Sequence, residues 1–538
     1  MNSKKTLEFT VITDAHLYSP KLGADTLSYK RFNAKSQKLL KESSGVIAAA
    51  FKQIAAEKSD IVLFCGDATC DGDRDSHEEF ISMLTALKQC GKRVFAITST
   101  HDYQDNGITL RYTSDRPEEI PSVRREELSA MYADFGPNEA LSVFSDGLSY
   151  IAELDEGHVL FALNSDKNGS GRSGYSPKCR EWISANAAKY TAEGKRIIAM
   201  THHPLISPSP FYSLIGKNDM MSGHEEITEW LSSLGVELIF TGHSHIHDIS
   251  YRFTDSGRVF YDVSTSALAG FPGLMRSVVI DGDSIRIDSR EIEGPTPDGL
   301  DGDGIKALLK EQFIGMIRLT LDSAARDIPT FAQNVSAMSI PALPVYRFGW
   351  LIKPAARLVT SLTIGNAAAW CKKETGISPE EIAEIRDRKI VDFILDLVMH
   401  LYGGDAPYSP ETCEYRITQG VLSIVDSTVR ALHIPFSRLV KGFSSTSELI
   451  TPLLFNFGIC DRAATLRFGA DRQFIETIIP DKEPEDIRSS KGPYIAALLI
   501  MILIIMLPLL PVTALVLLTA HILNHIKYRE EIRRSKNG

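Results

Sequence analysis

Short apolar runs recur along the first half of the chain. Each is followed by a polar loop and then by a stretch in which apolar residues have helical spacing. Runs of this length are typical of buried β-strands. Between the first two runs a helix is predicted from about Ser36 to Lys58. Strands that alternate with helices favour an α/β sheet covered by helices, with ligands bound outside the carboxyl ends of the strands. The predicted strands are Leu7–Ile12, Ile61–Phe64, Arg93–Ile97, His158–Leu163, Arg196–Met200 and Val236–Phe240.

The pattern changes after these alternating elements. Two short strands, SVVID and SIRIDSRE, flank a turn at Gly282–Asp283, and a linker rich in Gly, Pro and Asp follows at 294–304. From 305 to about 490 the apolar positions recur at helical spacing, which predicts an α-helical domain. One of its helices is predicted to begin after Ser378, as N-cap, and to end before Gly403–Gly404. The apolar stripes of this region predict core packing and no chemistry.

A long uncharged segment, Pro493–Leu523, has 31 residues without Asp, Glu, Lys or Arg. Because about 20 apolar residues cross a bilayer core, this segment predicts a membrane segment that contacts lipid. Pro508 and Pro511 divide it, so a kinked span and a hairpin in one leaflet both stay open. The basic tail 524–538 is expected in the cytoplasm by the positive-inside rule. The N-terminus has no apolar stretch of signal-peptide length, so the chain is expected to be anchored by its C-terminus, with its N-terminal domain in the cytoplasm.

Charge and cysteine content narrow the function classes. The formal net charge is −10, from 58 basic and 68 acidic side chains. No basic run stands out in the first 480 residues, which argues against a nucleic-acid surface. The seven cysteines are scattered and form no CxxC pair, which indicates a reducing compartment rather than a disulfide framework. Nothing in the composition defines the oligomeric state.

Clusters of Asp and His follow five of the predicted strands. Each cluster alone is weak, but five in order, each at a strand end, are poorly explained by chance. In an extended chain residues i and i+2 point the same way, so His243 and His245 can direct two imidazoles at one point. The clusters are Asp14-Ala15-His16, Gly66-Asp67, Ser99-Thr100-His101-Asp102, Thr201-His202-His203-Pro204 and Gly242-His243-Ser244-His245.

Mixed carboxylate and imidazole ligands suit Zn, Fe or Mn rather than calcium. An Asp carboxylate has two oxygens, so it can bridge two cations about 3.5–4 Å apart, as in two-metal phosphoryl chemistry. Such a site lowers the pKa of a bound water and neutralises the charge that develops on phosphate oxygens. Clusters of this composition can therefore hold two divalent metal ions that share one carboxylate.

The ordered clusters resemble the calcineurin-like metallophosphoesterases, whose pattern is D-x-H, G-D, G-N-H-D, H-x-P and G-H-x-H. The resemblance covers roughly Leu7 to Glu291 and implies a four-layer α/β/β/α sandwich over 1–293, followed by the α-helical domain at 305–490 and the C-terminal membrane segment. In the family His203 is next to a ligand and is not one. The residues that the resemblance assigns to the metals are, for one ion, Asp14, His16 and His245, for the second, His202 and His243, and for both, Asp67.

One position departs from the family pattern. Thr100 stands where the family has an Asn that binds the second metal. A neutral hydroxyl is a poorer ligand than an amide carbonyl, so the second site is expected to be weaker or completed by water, and whether Thr100 binds metal stays open. The resemblance also implies that His101, oriented by Asp102, acts as the acid or stabilises the transition state beside the leaving oxygen. His247 lies outside the pattern and is expected behind the ligands or at the surface.

The function that follows is a metal-dependent phosphoesterase, which hydrolyses phosphodiesters or nucleotides with a metal-activated hydroxide at a dinuclear site. GDATCDG and the spacing from HHPL to TGHSHIHD resemble the bacterial cyclic-nucleotide phosphodiesterase-like group. The membrane segment makes a lipid or envelope phosphodiester a rival substrate. The alternative is a metal-impaired scaffold or interaction protein anchored at the membrane, in whose favour Thr100 is the one feature.

Overall fold

The computed structural model describes residues 6–209, 219–336, 342–405, 407–431, 433, 435–439, 443–455 and 461–469. The strands of these residues are β1 Leu7–Ile12, β2 Ile61–Phe64, β3 Arg93–Ala96, β4 Ile108–Arg111, β5 Glu118–Pro121, β6 Ser142–Val143, β7 Tyr150–Asp155, β8 His158–Ala162, β9 Arg196–Met200, β10 Leu238–Thr241, β11 Asp248–Phe253, β12 Val259–Ser264, β13 Leu274–Asp281, β14 Ser284–Glu291 and β15 Ala463–Arg467.

The α-helices of these residues are α1 Leu27–Asn33, α2 Ser43–Ala56, α3 Arg74–Gln89, α4 Arg125–Met131, α5 Pro177–Ala192, α6 His224–Ser233, α7 Gly302–Arg326, α8 Ile328–Ser336, α9 Ala342–Ser361, α10 Ile364–Trp370, α11 Lys372–Thr375, α12 Ile390–Gly403, α13 Cys413–Ala431, α14 Phe436–Leu439 and α15 Thr446–Phe455. Short 3₁₀ turns cover Pro20–Leu22, Thr100–Asp102 and Pro137–Glu139. The six predicted strands are present within two residues of their predicted ends. The helix predicted from Ser36 starts later, at Ser43.

Two sheets face each other in the N-terminal domain. The first has the order β15-β14-β13-β1-β2-β3, with β1, β2 and β3 parallel. The second has the order β11-β12-β10-β9-β8-β7-β6, with β8, β9 and β10 parallel. Apolar side chains of both sheets form one core, in which the rings of Phe9 and Phe240 meet edge to face at 5.4 Å. The parallel strands are buried on both faces, which is why each is a nearly continuous apolar run.

Helices cover the outer face of each sheet. On the first sheet, α2 and α3 contribute residues such as Ile47 and Phe80 to a second apolar core. On the second sheet, α5 and α6 contribute Ile183 and Leu231 to a third. The layers are therefore helix, sheet, sheet and helix, as predicted.

The chain after the linker is mainly helical in the described residues, but it includes one more strand. β15 pairs antiparallel with β14 at the edge of the first sheet, where Leu466 lies opposite Ile285. The predicted α-helical domain over 305–490 thus contains a strand that the sequence pattern did not indicate. The strand reads Ala-Ala-Thr-Leu-Arg and buries only Leu466, so it has too few apolar residues to be recognised by its pattern.

The helix predicted after Ser378 begins instead at Ile390. The capping contact is present, since the Ser378 N–H donates to the Glu381 carboxylate at 2.7 Å, but turns follow it. Further along, the Arg388 carbonyl accepts the N–H of Ile364 at 2.9 Å. This tertiary hydrogen bond uses a backbone group that a continuous helix would need, so the helix starts later.

Buried polar contacts around His247 join the helical region to the N-terminal domain. The His247 N–H donates to the carbonyl of Tyr402 at 3.0 Å, and its Nε2 lies 2.6 Å from Oγ of Ser289. Nearby, the fully buried guanidinium of Arg276 donates to the carbonyl of Asp461 at 2.8 Å. His247 is therefore neither a surface residue nor a member of the ligand groups described below, but part of the contact between two regions of the chain.

Within the described residues, no helix is long and apolar enough to cross a membrane. The predicted membrane segment, 493–523, and the basic tail lie outside those residues. Membrane attachment and the cytoplasmic location of the N-terminal domain stay predictions.

Two glycines with the same backbone conformation test the contact at His247. Gly404 and Gly376 both have a φ of 63°. A Cβ at Gly404 would overlap the carbonyl oxygen of His247, whereas a Cβ at Gly376 would meet nothing within 4 Å. Gly376→Ala should lower the free energy of unfolding by about 1–2 kcal/mol through left-handed strain alone. Gly404→Ala should lower the free energy of unfolding by more, because the backbone at His247 must also move to make room for the Cβ. Denaturant titration measures both, and equal losses would show that the contact is loose.

Candidate metal centre

The predicted ligands come together where strands of both sheets end. Backbone hydrogen bonds join the loop after β1 to the loop after β2. The Asp14 N–H donates to the Gly66 carbonyl at 2.9 Å, and the His16 N–H donates to the Asp67 carbonyl at 3.0 Å. The tract Ser264–Gly273 supports the same loop, since the Leu268 N–H donates to the Asp14 carbonyl at 3.1 Å. By position, Asp14 and His16 follow β1, Asp67 follows β2, His101 follows β3, His202 follows β9, and His243 and His245 follow β10.

Most of the predicted ligands have a strained backbone. A positive φ outside glycine costs on the order of 1–3 kcal/mol and is concentrated at functional sites. In the part of the chain that the structure describes, His433 is the only other non-glycine residue with a positive φ. The fold therefore accepts a conformational cost at these side chains. The residues with φ between 43° and 65° are Asp14, His16, Asp67, His243 and His245.

Asp14, His16 and His245 form the first ligand group. Oδ1 of Asp14 lies 3.4 Å from Nε2 of His16 and 3.3 Å from Nε2 of His245. The two Nε2 atoms are 3.0 Å apart. Nδ1 of His16 donates to the carbonyl of Thr69 at 3.3 Å, which leaves Nε2 as the ligand atom. All three side chains point at one buried position.

Asp67, His202 and His243 form the second group. Oδ2 of Asp67 lies 3.1 Å from Nε2 of His202, which is 3.3 Å from Nδ1 of His243. Nδ1 of His202 donates to the carbonyl of Cys65 at 2.8 Å, so its Nε2 is again the available nitrogen. Asp67 also forms a third group with His16 and His101, in which its Oδ2 lies 4.0 Å from Nε2 of His16, and it is therefore placed between the two positions.

The donor set fits divalent cations. Oδ2 of Asp14 accepts the hydroxyl of Thr13 at 2.7 Å and the N–H of His243 at 3.0 Å. Oδ1 of Asp14 is buried and has no hydrogen-bond partner, although it faces two imidazole nitrogens. An unsatisfied buried carboxylate oxygen is costly, and a metal ion shared with those nitrogens would satisfy it. Two carboxylates and four imidazoles suit Zn, Fe or Mn, and the identity of the metals stays open.

A family model of calcineurin-like phosphoesterases matches residues 7–247 of the chain. Over these residues, a little under half of its length, the chain is similar to calcineurin-like phosphoesterases. The match runs from β1 to the histidines after β10 and so includes every predicted ligand. The chain is a hydrolase that acts on phosphate esters. No curated protein matches the sequence.

Solved structures with a related arrangement are phosphatases and a nucleotidase. A dimetal phosphatase from Danio rerio is 14% identical, with 53% of this chain and 96% of that chain covered and a TM-score of 0.38. A purple acid phosphatase from yellow lupin seeds is 12% identical, with 56% and 55% covered and a TM-score of 0.36. The NAD nucleotidase of Haemophilus influenzae is 12% identical, with 67% and 62% covered and a TM-score of 0.28. At these low scores the likenesses carry nothing about the substrate.

Charges inside the phosphoesterase site are strongly coupled. Burial raises the pKa of Asp14 and Asp67, but the positive charge of His202 and the contacts with the other imidazoles together outweigh it, so both carboxyls have a pKa well below their ordinary value. Burial lowers the pKa of His202, but Asp67 and Asp14 together raise it to about 9. Before metal binds, a proton on His202 thus offsets part of the negative charge.

His101 lies beside the ligands with both ring nitrogens engaged. Its Nδ1 donates to the carbonyl of Cys70 at 2.7 Å, and its Nε2 accepts from Nζ of Lys38 at 3.2 Å. Burial and then the positive charge of Lys38 lower the pKa of His101 to about 4. At neutral pH the ring is therefore an acceptor, and its predicted role as the acid requires that an anionic substrate first offset the charge of Lys38.

The carboxylate of Asp102 accepts hydrogen bonds from backbone N–H groups. It does not contact the imidazole of His101, which it was predicted to orient. Its carboxylate accepts the N–H of Ser99 at 2.8 Å and the N–H of Thr69 at 3.0 Å. The Thr69 hydroxyl in turn donates to the carbonyl of His101 at 2.9 Å. Burial and then the charge of Asp67 raise the pKa of Asp102 to about 7. Asp102 therefore fixes the turn that carries His101, and the ring is oriented by Cys70.

Lys38 is the residue of the site that the sequence did not reveal. It lies in a loop before α2, in no motif, and its ammonium reaches His101. A cavity of about 640 Å³ opens over the centre and is lined by Lys38 together with Asp67, His243 and His245. A cation at the mouth of an anion-binding site attracts phosphate, so Lys38 belongs to the candidate machinery.

Two residues of the predicted clusters, Thr100 and His203, lie near the ligand groups but are not members of them. Thr100 begins the 3₁₀ turn before His101 and is half-buried, and its role as a ligand stays a prediction. The ring of His203 packs against that of His243 at 4.5 Å, and its Nδ1 lies 3.0 Å from Oγ of Ser165. His203 therefore supports a ligand rather than joining the ligand groups.

Asp67→Asn should reduce metal binding at both positions, because Asp67 belongs to groups on either side. Loss of a ligand oxygen should weaken binding about 10–100-fold or more. Metal content of the purified chain, measured by mass spectrometry, tests this. Asp71→Asn is the matched control, since this carboxylate lines the same cavity but is engaged by Gln104 and Thr109 at 2.6 and 2.8 Å. Wild-type metal content in Asp67→Asn would contradict the bridging position.

Metal binding should release a proton from His202. With its pKa raised to about 9, His202 is protonated in the metal-free chain at pH 7 and must lose that proton to become a ligand. Apparent metal affinity should therefore rise as the pH rises from 6 to 9. Calorimetric titration in buffers of different ionisation enthalpy measures the proton release directly. Affinity that is flat over this range would show that His202 binds no metal.

Proposed function

We propose that the chain hydrolyses phosphodiesters or nucleotides at a centre of two divalent metal ions. The observation that carries this proposal is the shared carboxylate of Asp67, which lies between two groups of ligands in one buried cluster. A single structural ion would need only one closed group of four ligands. Two adjoining groups that open into one cavity favour catalysis instead.

The residues of the chain divide the work at this centre. Asp14, His16 and His245 would hold one ion, Asp67, His202 and His243 the other. Ions bound there would activate water as the nucleophile and neutralise charge on the phosphate. The fixed hydrogen bonds from His16 to Thr69 and from His202 to Cys65 set the tautomers before substrate arrives.

Lys38 and His101 would act on the substrate rather than on the metals. Both residues line the cavity, and Nζ of Lys38 lies 3.2 Å from Nε2 of His101. The ammonium would bind a phosphate oxygen, and the imidazole would face the leaving oxygen. Because phosphate would draw the Lys38 charge away from His101, the ring could then take up and donate a proton. The resemblance of GDATCDG and TGHSHIHD to cyclic-nucleotide phosphodiesterase-like proteins supports a phosphodiester substrate.

Hydrolysis of bis(p-nitrophenyl) phosphate by the full chain tests the proposal. Activity should be abolished by a chelator and restored by Mn. His101→Ala should lower kcat/KM by about 100–10,000-fold and Lys38→Met by about 100–1,000-fold, both with metal content unchanged. Lys41→Met is the control for Lys38, since Lys41 pairs with Asp25 on the surface at 2.8 Å. Metal loss in His101→Ala would instead show that His101 is a ligand.

The alternative, a scaffold that binds metal poorly, makes a different prediction in the same assay. Thr100 is the feature that favours it. A full chain that binds fewer than two equivalents of metal in excess Mn and hydrolyses none of the phosphodiesters offered would support the scaffold and refute the enzyme.

A further inference from the structure

The cavity over the metal centre has a second end that the helical region builds. Apart from the ligands and the loop of Lys38, its lining includes Met316, Leu319 and Thr320 of α7 and Gln333 and Asn334 of α8. These five residues carry no charge. The region for which the sequence predicted no chemistry thus forms one wall of the candidate active site.

The face of α7 that reaches the cavity continues a buried apolar stripe. Ile305, Leu309 and Phe313, at 1%, 2% and 1% exposure, pack on the phosphoesterase domain. The ring of Phe313 stacks on Phe271 at 5.3 Å. Residues three and seven positions after Phe313 lie on the same side of a helix. There Met316 and Thr320 line the cavity, Thr320 as a buried residue, and the neighbouring Leu319 is 43% exposed.

Hydrogen bonds fix this wall against the loop that carries Lys38. Nε2 of Gln312, on α7, donates to the carbonyls of Asn33 and Ser36, at 2.7 Å each. The side chain of Asn33 donates back to Gln312 at 3.2 Å. One helix therefore positions both the apolar wall and the cationic loop. A preformed apolar wall beside a few placed polar groups is the usual architecture of a small-molecule site.

We propose that this second end of the cavity is a subsite for a large, uncharged and mainly apolar group esterified to the phosphate. The proposal rests on the proposed function and narrows its substrate class. Lys38 would meet the phosphate charge at the centre, and Met316 and Leu319 would bury the organic group. An aromatic ring and an alkyl chain share this chemistry. The wall formed by α7 and α8 carries no cation, and away from the centre the other charged residues of the lining are Lys35, Asp71 and Asp219. One ammonium beside two carboxylates gives a group with further negative charge no net attraction.

Three diesters with the same p-nitrophenyl leaving group test the subsite: the methyl, phenyl and octyl p-nitrophenyl phosphates. With the metal-loaded full chain, the phenyl or octyl ester should have a KM at least 10-fold below that of the methyl ester. Preference for phenyl over octyl would identify an aromatic group, and the reverse an alkyl chain. Equal KM values for all three would overturn the subsite.

Variants of the wall sharpen the test. Leu319→Ser and Met316→Ser should each raise KM for the preferred ester by about 10-fold and leave the methyl ester unchanged. Leu343→Ser is the control, because Leu343 is equally apolar and 73% exposed but lies outside the cavity lining. Unaltered selectivity in both wall variants would overturn the subsite.

Failure of the subsite and failure of the proposed function are distinguishable. Octyl methylphosphonate and methyl methylphosphonate lack the p-nitrophenyl leaving group and are not cleaved during the measurement. Their binding can therefore be titrated by calorimetry without turnover. If the octyl compound binds more tightly and Leu319→Ser removes the difference, the subsite stands even when no ester is hydrolysed. Turnover of all three esters without discrimination would refute the subsite alone.

Discussion

Two carboxylates buried within one shell of imidazoles are the constraint on which this structure depends. Asp14 and Asp67 are 0% and 1% exposed, and burial of unpaired negative charge is expensive unless a cation accompanies it. The chain meets this cost by ending strands of two sheets at one edge and by bending its backbone there into left-handed conformations. The same two carboxylates, with imidazole nitrogens around them, are a set of donors that suits divalent ions.

That the predicted ligands lie together was predictable because each is marked locally in the sequence. Each ligand stands directly after a buried apolar run, so both the strand and the side chain were visible, and parallel strands bring such positions together. The role of Asp102 was not predictable in this way. Whether its carboxylate contacts a ring or the N–H of Ser99 depends on ångström-scale geometry that no motif records. Lys38 was missed since an isolated lysine in a loop is usually a solvated residue.

The helical region was the hardest part to interpret from sequence. A residue such as Met316 has the spacing of a core position, and only the position of α7 over the cleft turns that position into cavity lining. The helix α12 begins later than predicted for a related reason. A tertiary hydrogen bond to the Arg388 carbonyl competes with the capping pair that the sequence indicated. In both cases the local pattern identified the helical position or the capping pair correctly. It could not predict which part of the chain would contact that residue in the folded protein.

The edge strand β15 has a consequence for how the protein is made. The first sheet lacks that strand until the ribosome has synthesised the whole helical region, since β15 follows it in the chain and pairs with β14. Until then the β14 edge is an open template for pairing with other chains, and the buried guanidinium of Arg276 lacks the Asp461 carbonyl. Closure of the phosphoesterase domain is therefore delayed to a late stage of translation, and a nascent chain stalled before β15 would be a natural client for chaperones.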